Sequence, residues 1–172
     1  MARADMLGGT VSFSTRPALD SDEGFLFTLY AATREGELAT WGWTPPQREA
    51  FLRMQWLAQR RAWAARFPTA EDRLLLMEGQ PVGRLLVARS AREWWLVNVA
   101  LLPAYRGGGL GTRLLRELQE EARRARVPLK LHVLQGSPAR RLYVRLGFLD
   151  TAPARPEDPY VAMEWTPAPS AG

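Results

Sequence analysis

Three consecutive segments between Trp94 and Arg126 constrain the fold of this chain more than any other feature. The apolar run Trp94 to Leu102 is typical of a strand, and the glycine-rich turn Arg106-Gly-Gly-Gly-Leu-Gly-Thr112 follows it. Apolar side chains then recur every three or four residues, with arginine and glutamate between them. These positions are Leu110, Leu114, Leu115, Leu118, Ala122 and Ala125. Their spacing predicts an amphipathic helix over Gly109 to Arg126.

The segments around this helix predict a mixed sheet with helices on both of its faces. A strand-helix-strand unit, here Trp94 to Leu134, requires parallel pairing through a right-handed crossover. The other predicted strands are Thr10 to Arg16, Leu74 to Met77, Val82 to Ala88, Leu129 to Leu134 and Tyr160 to Trp165. The other predicted helices run from Asp20 or Ser21 to near Gly36, from Gln47 to Phe67, and from Ser137-Pro138 to Gly147.

Length and composition favour one compact domain. A chain of 172 residues, 47% of them apolar, can form a single core. We expect this domain to span residues 10–166, with flexible termini at 1–9 and 167–172. The sequence has no apolar run of about 18 residues and no signal-peptide pattern, which predicts a cytoplasmic protein without a membrane span.

Several classes of function are disfavoured by residue content. Cysteine is absent and histidine occurs once, so we expect neither a disulfide nor a metal site. The net charge of +5 is carried by scattered arginines, and Lys130 is the only lysine. Because neither a basic run nor a recognised binding module is present, we expect no nucleic-acid partner.

The glycine-rich turn has the arrangement of an anion site. Where a strand passes through glycines into a helix, free amide N–H groups and the helix dipole converge on an anion such as phosphate. A P-loop would require lysine followed by serine or threonine, whereas Gly111 is followed by Thr112 and Arg113. A Rossmann loop would follow the first strand, and this turn lies past the middle of the chain.

Two motifs in the right order resemble the GNAT acetyltransferase superfamily. Arg106, Gly109 and Gly111 match the superfamily's phosphate loop, Arg or Gln-x-x-Gly-x-Gly or Ala. Downstream, the segment from Ala139 through Tyr143 to Gly147-Phe148 resembles the pattern Ala-x-x-x-Tyr-x-x-x-Gly-Phe. The resemblance implies an α/β fold with a central mixed sheet of about six to seven strands, flanked by four helices and splayed between the fourth and fifth strands.

The resemblance also implies acetyl-CoA as the cofactor and assigns residues to it. Backbone groups of Val99 and Leu101 would bind the pantetheine arm, and an N–H near Val99 would polarise the thioester carbonyl. The implied cofactor-binding residues are Val99, Leu101, Arg106, Gly107, Gly108, Gly109, Leu110, Gly111, Thr112, Ser137 and Tyr143. Ser137 stands where the superfamily often has asparagine.

The resemblance assigns the general acid more firmly than the general base. Tyr143 would protonate the leaving thiolate, since its ordinary pKa near 10 keeps it protonated at neutral pH. The alternative is that Tyr143 only packs in the helix. The strand Trp94 to Leu102 lacks the glutamate that many relatives carry, which leaves Glu93 and Asn98 as candidate catalytic groups, or a base-free route through water. His132 is expected to be structural.

The acceptor is expected to be a primary amine. In the superfamily, the first two helices and the last hairpin bind the acceptor, so we predict Tyr30, Trp41 and Trp43 as substrate-binding residues. Alternatively, these tryptophans fill core. A small amine or amino acid is the main hypothesis. Acetylation of a protein N-terminus or side chain, and a catalytically weak acyl-CoA-binding module, stay open, as does a homodimer.

Overall fold

The computed structural model describes residues 12–169 and contains eleven helices and strands over that range. The strands are β1 (Ser14–Pro17), β2 (Glu71–Met77), β3 (Gln80–Arg89), β4 (Trp94–Leu101), β5 (Leu129–Leu134), β6 (Leu149–Asp150) and β7 (Tyr160–Trp165). The helices are α1 (Glu23–Leu38), α2 (Pro45–Arg66), α3 (Leu110–Ala125) and α4 (Ala139–Arg145). Two 3₁₀ turns, Asp20–Asp22 and Pro103–Tyr105, precede α1 and α3. Of the predicted first strand, Thr10 and Val11 lie outside the described residues, as do residues 1–9 and 170–172 of the predicted flexible termini.

The strands form a mixed seven-stranded sheet in the order β1-β2-β3-β4-β5-β7-β6. β1 runs antiparallel to β2, β4 runs parallel to β5, and β5 runs antiparallel to β7. Four helices accompany this sheet in the described part of the chain. The predicted fold class, a mixed α/β sheet with a parallel crossover at α3, is therefore confirmed.

The pairing of β4 with β5 is short. It joins Trp94–Leu96 to Leu129–Leu131, which is three of the eight residues of β4. β5 pairs with β7 over its whole length. The register of β4 with β5 therefore covers only the first three residues of β4, and the predicted splay between these strands stays a prediction.

The chain forms two compact units. The first comprises the described residues up to Leu86 together with Asn98–Gly108, and its core includes Leu26, Trp56 and Leu74. The second comprises Val87–Val97 and the chain from Gly109 onward. In the second unit, α3 buries the predicted apolar stripe, and only Ala125, at the end of the helix, is exposed. Five side chains of this stripe are buried: Leu110, Leu114, Leu115, Leu118 and Ala122.

Several element boundaries differ from the prediction by a few residues, and the differences at α1 and α2 have identifiable causes. α1 begins after Asp22 and continues past Gly36, because Leu38 is 1% exposed and its burial favours another half-turn. α2 begins at Pro45 rather than Gln47. Thr44 caps it in a capping box: the Thr44 hydroxyl accepts from the Gln47 N–H, and the Gln47 side chain accepts from the Thr44 N–H. The two-residue strand β6 was not predicted, since so short a segment has no period to detect.

Candidate functional site

The glycine-rich turn leads into α3 with its first amides uncapped. Gly109 is the N-cap and has a φ of 84°, a left-handed conformation that glycine adopts without steric cost. The first backbone bond of the helix runs from the Arg113 N–H to the Gly109 carbonyl, and no side chain caps this end. The N–H groups of Leu110, Gly111 and Thr112 therefore have no acceptor within the helix.

The three glycines that precede these amides have open surroundings. A Cβ placed on Gly107, Gly108 or Gly109 would meet no atom within 4 Å. Along the first turns of α3 lies an open cavity of about 570 Å³, lined by Gly109, Thr112, Arg113, Arg116, Glu117 and Glu120. A phosphate group fits the uncapped amides and the cations, so the residues present suit the phosphates of CoA.

Arg113 and Arg116 line this cavity but were not among the residues predicted from the sequence. They lie four and seven residues after Gly109 and therefore share one face of α3 with it. The signal that identifies them is this spacing from the phosphate loop. Charged side chains on an amphipathic helix are usually solvated, so without the cavity they do not stand out. Arg113 also lies 3.8 Å from the Glu117 carboxylate.

The side chain of Arg106, a predicted cofactor-binding residue, folds back toward the end of β4. Its Nε–H donates to the Leu101 carbonyl at 2.9 Å, just after the Pro103–Tyr105 turn. This bond closes the segment between β4 and the glycines. It also occupies one acceptor of Leu101, a residue predicted to bind pantetheine through its backbone.

The second motif forms a Schellman C-cap that holds Tyr143 in place. Gly147 has a φ of 92° and follows the last residues of α4. The Phe148 N–H donates to the Tyr143 carbonyl at 3.0 Å and the Gly147 N–H donates to the Val144 carbonyl at 3.1 Å, which are the two bonds of that motif. The glycine and phenylalanine of the sequence pattern therefore fix the end of the helix that carries the tyrosine.

The Tyr143 side chain is buried and protonated. Its ring packs edge-on against Phe148 at a centroid distance of 5.7 Å. Burial raises the pKa of Tyr143 to about 12, because the phenolate form loses its hydration. Nearby, the Gln119 side-chain amide donates to the Leu146 carbonyl at 2.8 Å and ties α3 to the end of α4.

The Glu93 carboxylate already interacts with two side chains of the second unit. Its carboxylate lies 2.6 Å from Lys130 Nζ and accepts from Trp95 Nε1 at 3.1 Å. The hydrogen bond from Lys130, followed by the one from Trp95, lowers the pKa of Glu93. A lowered pKa makes a weaker base at neutral pH. His132 lies on β5 with its ring centroid 5.1 Å from that of Trp95.

The remaining predicted residues lie in strands, loops and the α1–α2 region. Asn98, Val99 and Leu101 are half-buried in the second part of β4. Ser137 lies just before α4, where its hydroxyl accepts from the Ala139 N–H at 3.3 Å. In the first unit, Trp41 and Trp43 come together edge to face at a centroid distance of 5.1 Å.

Tyr30, the third residue predicted for the substrate, lies on α1. Its hydroxyl accepts from Arg34 at 2.7 Å. Within residues 12–169 the structure holds no group of three or more acidic or histidine side chains that could bind a metal, and no helix there is long and apolar enough to cross a bilayer.

The described chain thus combines a mixed α/β sheet with an uncapped helix start after a glycine-rich turn and a tyrosine beside a Schellman cap. The family model for the acetyltransferase (GNAT) family matches residues 30–148. This span exceeds half of the chain, and the chain therefore belongs to the GNAT acetyltransferase family. No curated protein sequence matches it.

Solved structures share the fold. The PaiA N-acetyltransferase from Thermoplasma acidophilum in complex with coenzyme A is 17% identical, with a TM-score of 0.66 over 90% of this chain and 99% of that chain. The histone acetyltransferase HPA2 and related acetyltransferase from Corynebacterium glutamicum is 24% identical, with a TM-score of 0.62 over 94% and 99%. Salmonella typhimurium yncA with its cofactor acetyl-CoA is 21% identical, with a TM-score of 0.55 over 93% and 96%.

The family match confirms three predictions. The resemblance to GNAT proteins, the acetyltransferase class of enzyme and acetyl-CoA as the cofactor follow from membership of this family. The structural neighbours confirm the fold. The acetyl acceptor and the roles of individual residues stay predictions.

Proposed function

We propose that this enzyme transfers the acetyl group of acetyl-CoA to a primary amine of a small molecule or amino acid, by direct attack while both substrates are bound. The observation that carries the proposal is the uncapped start of α3 at Gly109, with open space before it and Arg113 and Arg116 beside it. An acetyltransferase domain over residues 10–166, a cytoplasmic location and a homodimer stay predictions.

The proposed role of the loop is to hold the cofactor's phosphates. The N–H groups of Leu110, Gly111 and Thr112 point along the α3 axis toward its positive end, where an anion is stabilised by about 0.3 to 1 kcal/mol or more. Arg113 and Arg116 add fixed positive charge on the same helix face. Arg106 holds the loop in place through its bond to Leu101 rather than through its charge.

The proposed acetyl-binding element is the second half of β4. Acetyl-CoA, when bound, supplies an acetyl thioester that is already activated for attack by an amine. Backbone N–H groups at Val99 and Leu101 would orient its pantetheine arm, in the manner of an added strand. The short pairing of β4, which reaches only Leu96, supports this role because the later residues lie beyond its register with β5.

Tyr143 is proposed as the general acid. A phenol with a pKa of about 12 is protonated over the whole physiological range, so it can donate to the departing thiolate. The Schellman cap at Gly147 fixes the backbone from which it projects. These two observations support the proposed role, because the Tyr143 hydroxyl is protonated and its backbone is fixed by the cap.

The general base is proposed to be water rather than a buried carboxylate. Glu93 is paired with Lys130, and its pKa is lowered, so it accepts a proton poorly near neutral pH. Asn98 does not titrate and can only orient a water or the amine by hydrogen bonding. We therefore expect the rate to rise with pH as the free amine is populated.

The proposal is tested by incubating the protein with acetyl-CoA and a panel of amines while measuring release of the CoA thiol. Mass spectrometry of the acceptor then identifies a gain of one acetyl group. Amine-dependent thiol release with an acetylated product supports the proposal. Acetyl-CoA binding without turnover on any amine, amino acid or peptide terminus would leave an acyl-CoA-binding module and reject the enzyme.

A further inference from the structure

One position on the buried face of α3 carries an amide where its neighbours are apolar. Gln119 follows Leu115 by four residues and precedes Ala122 by three, so all three side chains lie on one side of the helix. Gln119 is 7% exposed, and Leu115 and Ala122 are buried as well. Burying an amide is unfavourable unless it makes a hydrogen bond, whereas an apolar side chain has no such requirement. Packing alone therefore does not explain this glutamine.

The Gln119 amide bonds to the C-terminal end of α4. Its Nε2 donates to the Leu146 carbonyl at 2.8 Å, and both residues are buried. Leu146 is the C-cap of α4, and the last carbonyls of a helix have no N–H partner within that helix. One hydrogen bond thus satisfies the amide of α3 and a carbonyl at the end of α4. Both helices belong to the second unit.

Leu146 is bonded in turn to the backbone of Tyr143. The Leu146 N–H donates to the Tyr143 carbonyl at 3.1 Å, and the Phe148 N–H donates to the same carbonyl at 3.0 Å. Leu146 therefore lies between Gln119 and the residue proposed as the general acid. A displacement of Leu146 moves the backbone from which the Tyr143 side chain projects.

The Tyr143 hydroxyl is not held by a hydrogen bond of its own. It makes none to any residue between 12 and 169. The direction of the ring depends instead on its packing against Phe148, at a centroid distance of 5.7 Å, and on the end of α4. A catalytic side chain keeps a productive geometry only where surrounding packing and hydrogen bonds fix its support. The bond from Gln119 supplies such a support.

We propose that Gln119 is a positioning residue for acetyl transfer. Its hydrogen bond to Leu146 holds the end of α4, and with it Tyr143, in the orientation from which the hydroxyl reaches the leaving sulfur. The inference rests on the proposed function. In the step that Gln119 serves, the amide C–N bond forms and the thioester C–S bond breaks. The Tyr143 proton passes to the sulfur, and the proton lost by the amine returns to Tyr143 through water.

Removal of the amide donor tests this role in steady-state kinetics. Gln119→Met keeps the length of the side chain and loses the bond to Leu146, and Gln119→Leu is a second variant without the donor. We expect kcat to fall about tenfold in both, because a displacement of about 1 Å can cost about 100-fold in rate. Acetyl-CoA affinity, measured by calorimetry, should be unchanged.

Two control variants separate positioning from a general loss of stability. Ala122→Gly weakens α3 on the same face without removing the bond to Leu146, so Tm should fall while kcat is unchanged. Gln80→Leu replaces a glutamine at an exposed position, the first residue of β3, and should change neither quantity. A loss of kcat confined to the Gln119 variants supports the positioning role.

A double-mutant cycle shows whether Gln119 acts through Tyr143. Independent residues multiply their effects on kcat, whereas residues that act as one unit do not. The Tyr143→Phe background has no acid to position, so adding Gln119→Met to it should change kcat less than about twofold. A further loss of about tenfold in that background would show that Gln119 does not act through Tyr143.

The inference is overturned if both Gln119 variants keep the kcat of the unchanged protein, if Ala122→Gly loses as much kcat as they do, or if the Gln119 and Tyr143 effects multiply. In each of these cases the unchanged protein still acetylates an amine, so the proposed function stands. An unchanged protein that transfers acetyl to no amine rejects the proposed function, and the role of Gln119 is rejected with it.

Discussion

Replacing Gly83 by alanine probes the approach of β3 to the second half of β4. A Cβ at this position would lie 2.6 Å from the Ala100 carbonyl oxygen and 2.7 Å from Leu101 Cδ2. The leucine side chain has other rotamers, but the carbonyl belongs to the backbone. β4 itself must therefore move to accommodate a methyl group, next to the residues proposed to bind the cofactor arm.

The expected cost follows from overpacking. Extra methyl groups forced into packed structure usually cost about 1 to 3 kcal/mol. For a chain of this size each kcal/mol lowers Tm by about 2 to 4 °C, so we expect a drop of roughly 2 to 12 °C. Because the displaced atoms belong to Ala100 and Leu101, acetyl-CoA affinity should fall as well.

Thermal unfolding followed by circular dichroism measures the first effect and calorimetry the second. Gly36→Ala is the matched control: it lies in α1, and its added Cβ would meet nothing within 4 Å. Alanine in a helix is favoured over glycine by up to about 1 kcal/mol, so this control should melt higher. A Gly83→Ala variant that melts at or above the temperature of the unchanged protein would refute the close approach.

Three further changes have defined outcomes. Tyr143→Phe should lower kcat about 100-fold or more with little change in acetyl-CoA affinity, in steady-state kinetics beside calorimetry. Gly147→Ala should lower Tm, because a left-handed conformation costs an alanine about 1 to 2 kcal/mol; an unchanged Tm would contradict its φ of 92°. The hydrogen bonds to Asp22 from Arg16 and then from the Leu19 N–H lower the pKa of Asp22 from 3.8 to about 2. The stabilisation is therefore complete above about pH 4 and is lost toward pH 2, so Asp22→Asn should flatten the dependence of Tm on pH in that window and elsewhere leave its shape unchanged.

The elements with the clearest periodicity of apolar residues were predicted best. β5 and β7 have their predicted bounds, and α3 differs by one residue at each end. In these segments one face is buried, so the sequence pattern and the tertiary packing favour the same structure. The predicted start of α2 was two residues late. Pro45 and Pro46 were read as preceding the helix, whereas proline is well tolerated in the first helical turn, here directly after the N-cap Thr44.

Other features depend on contacts that a sequence does not display. The end of α1 is set by the burial of Leu38, and Glu93 is engaged by Lys130, a residue of another strand. Neither the burial of Leu38 nor the pairing of Glu93 with Lys130 follows from local sequence spacing.

Two of the predicted sequence motifs coincide with defined backbone geometries, while the roles of their residues stay predictions. The tyrosine-to-glycine spacing of the second motif corresponds to a Schellman cap, whose bonds span Tyr143 to Phe148. The phosphate loop likewise corresponds to an uncapped helix start at Gly109. Arg113 and Arg116 were missed because only the cavity beside Gly109 distinguishes them from the other cations of α3.

Calorimetric titration of the unchanged protein and of Gly109→Glu with acetyl-CoA determines whether the cofactor binds at the start of α3. Gly79→Glu is the control, since Gly79 has a φ of 78° and open surroundings, in the turn before β3. We expect the unchanged protein and Gly79→Glu to bind acetyl-CoA with equal affinity, and Gly109→Glu not to bind it. No binding by the unchanged protein, or equal binding by all three proteins, would show that acetyl-CoA does not bind at the start of α3.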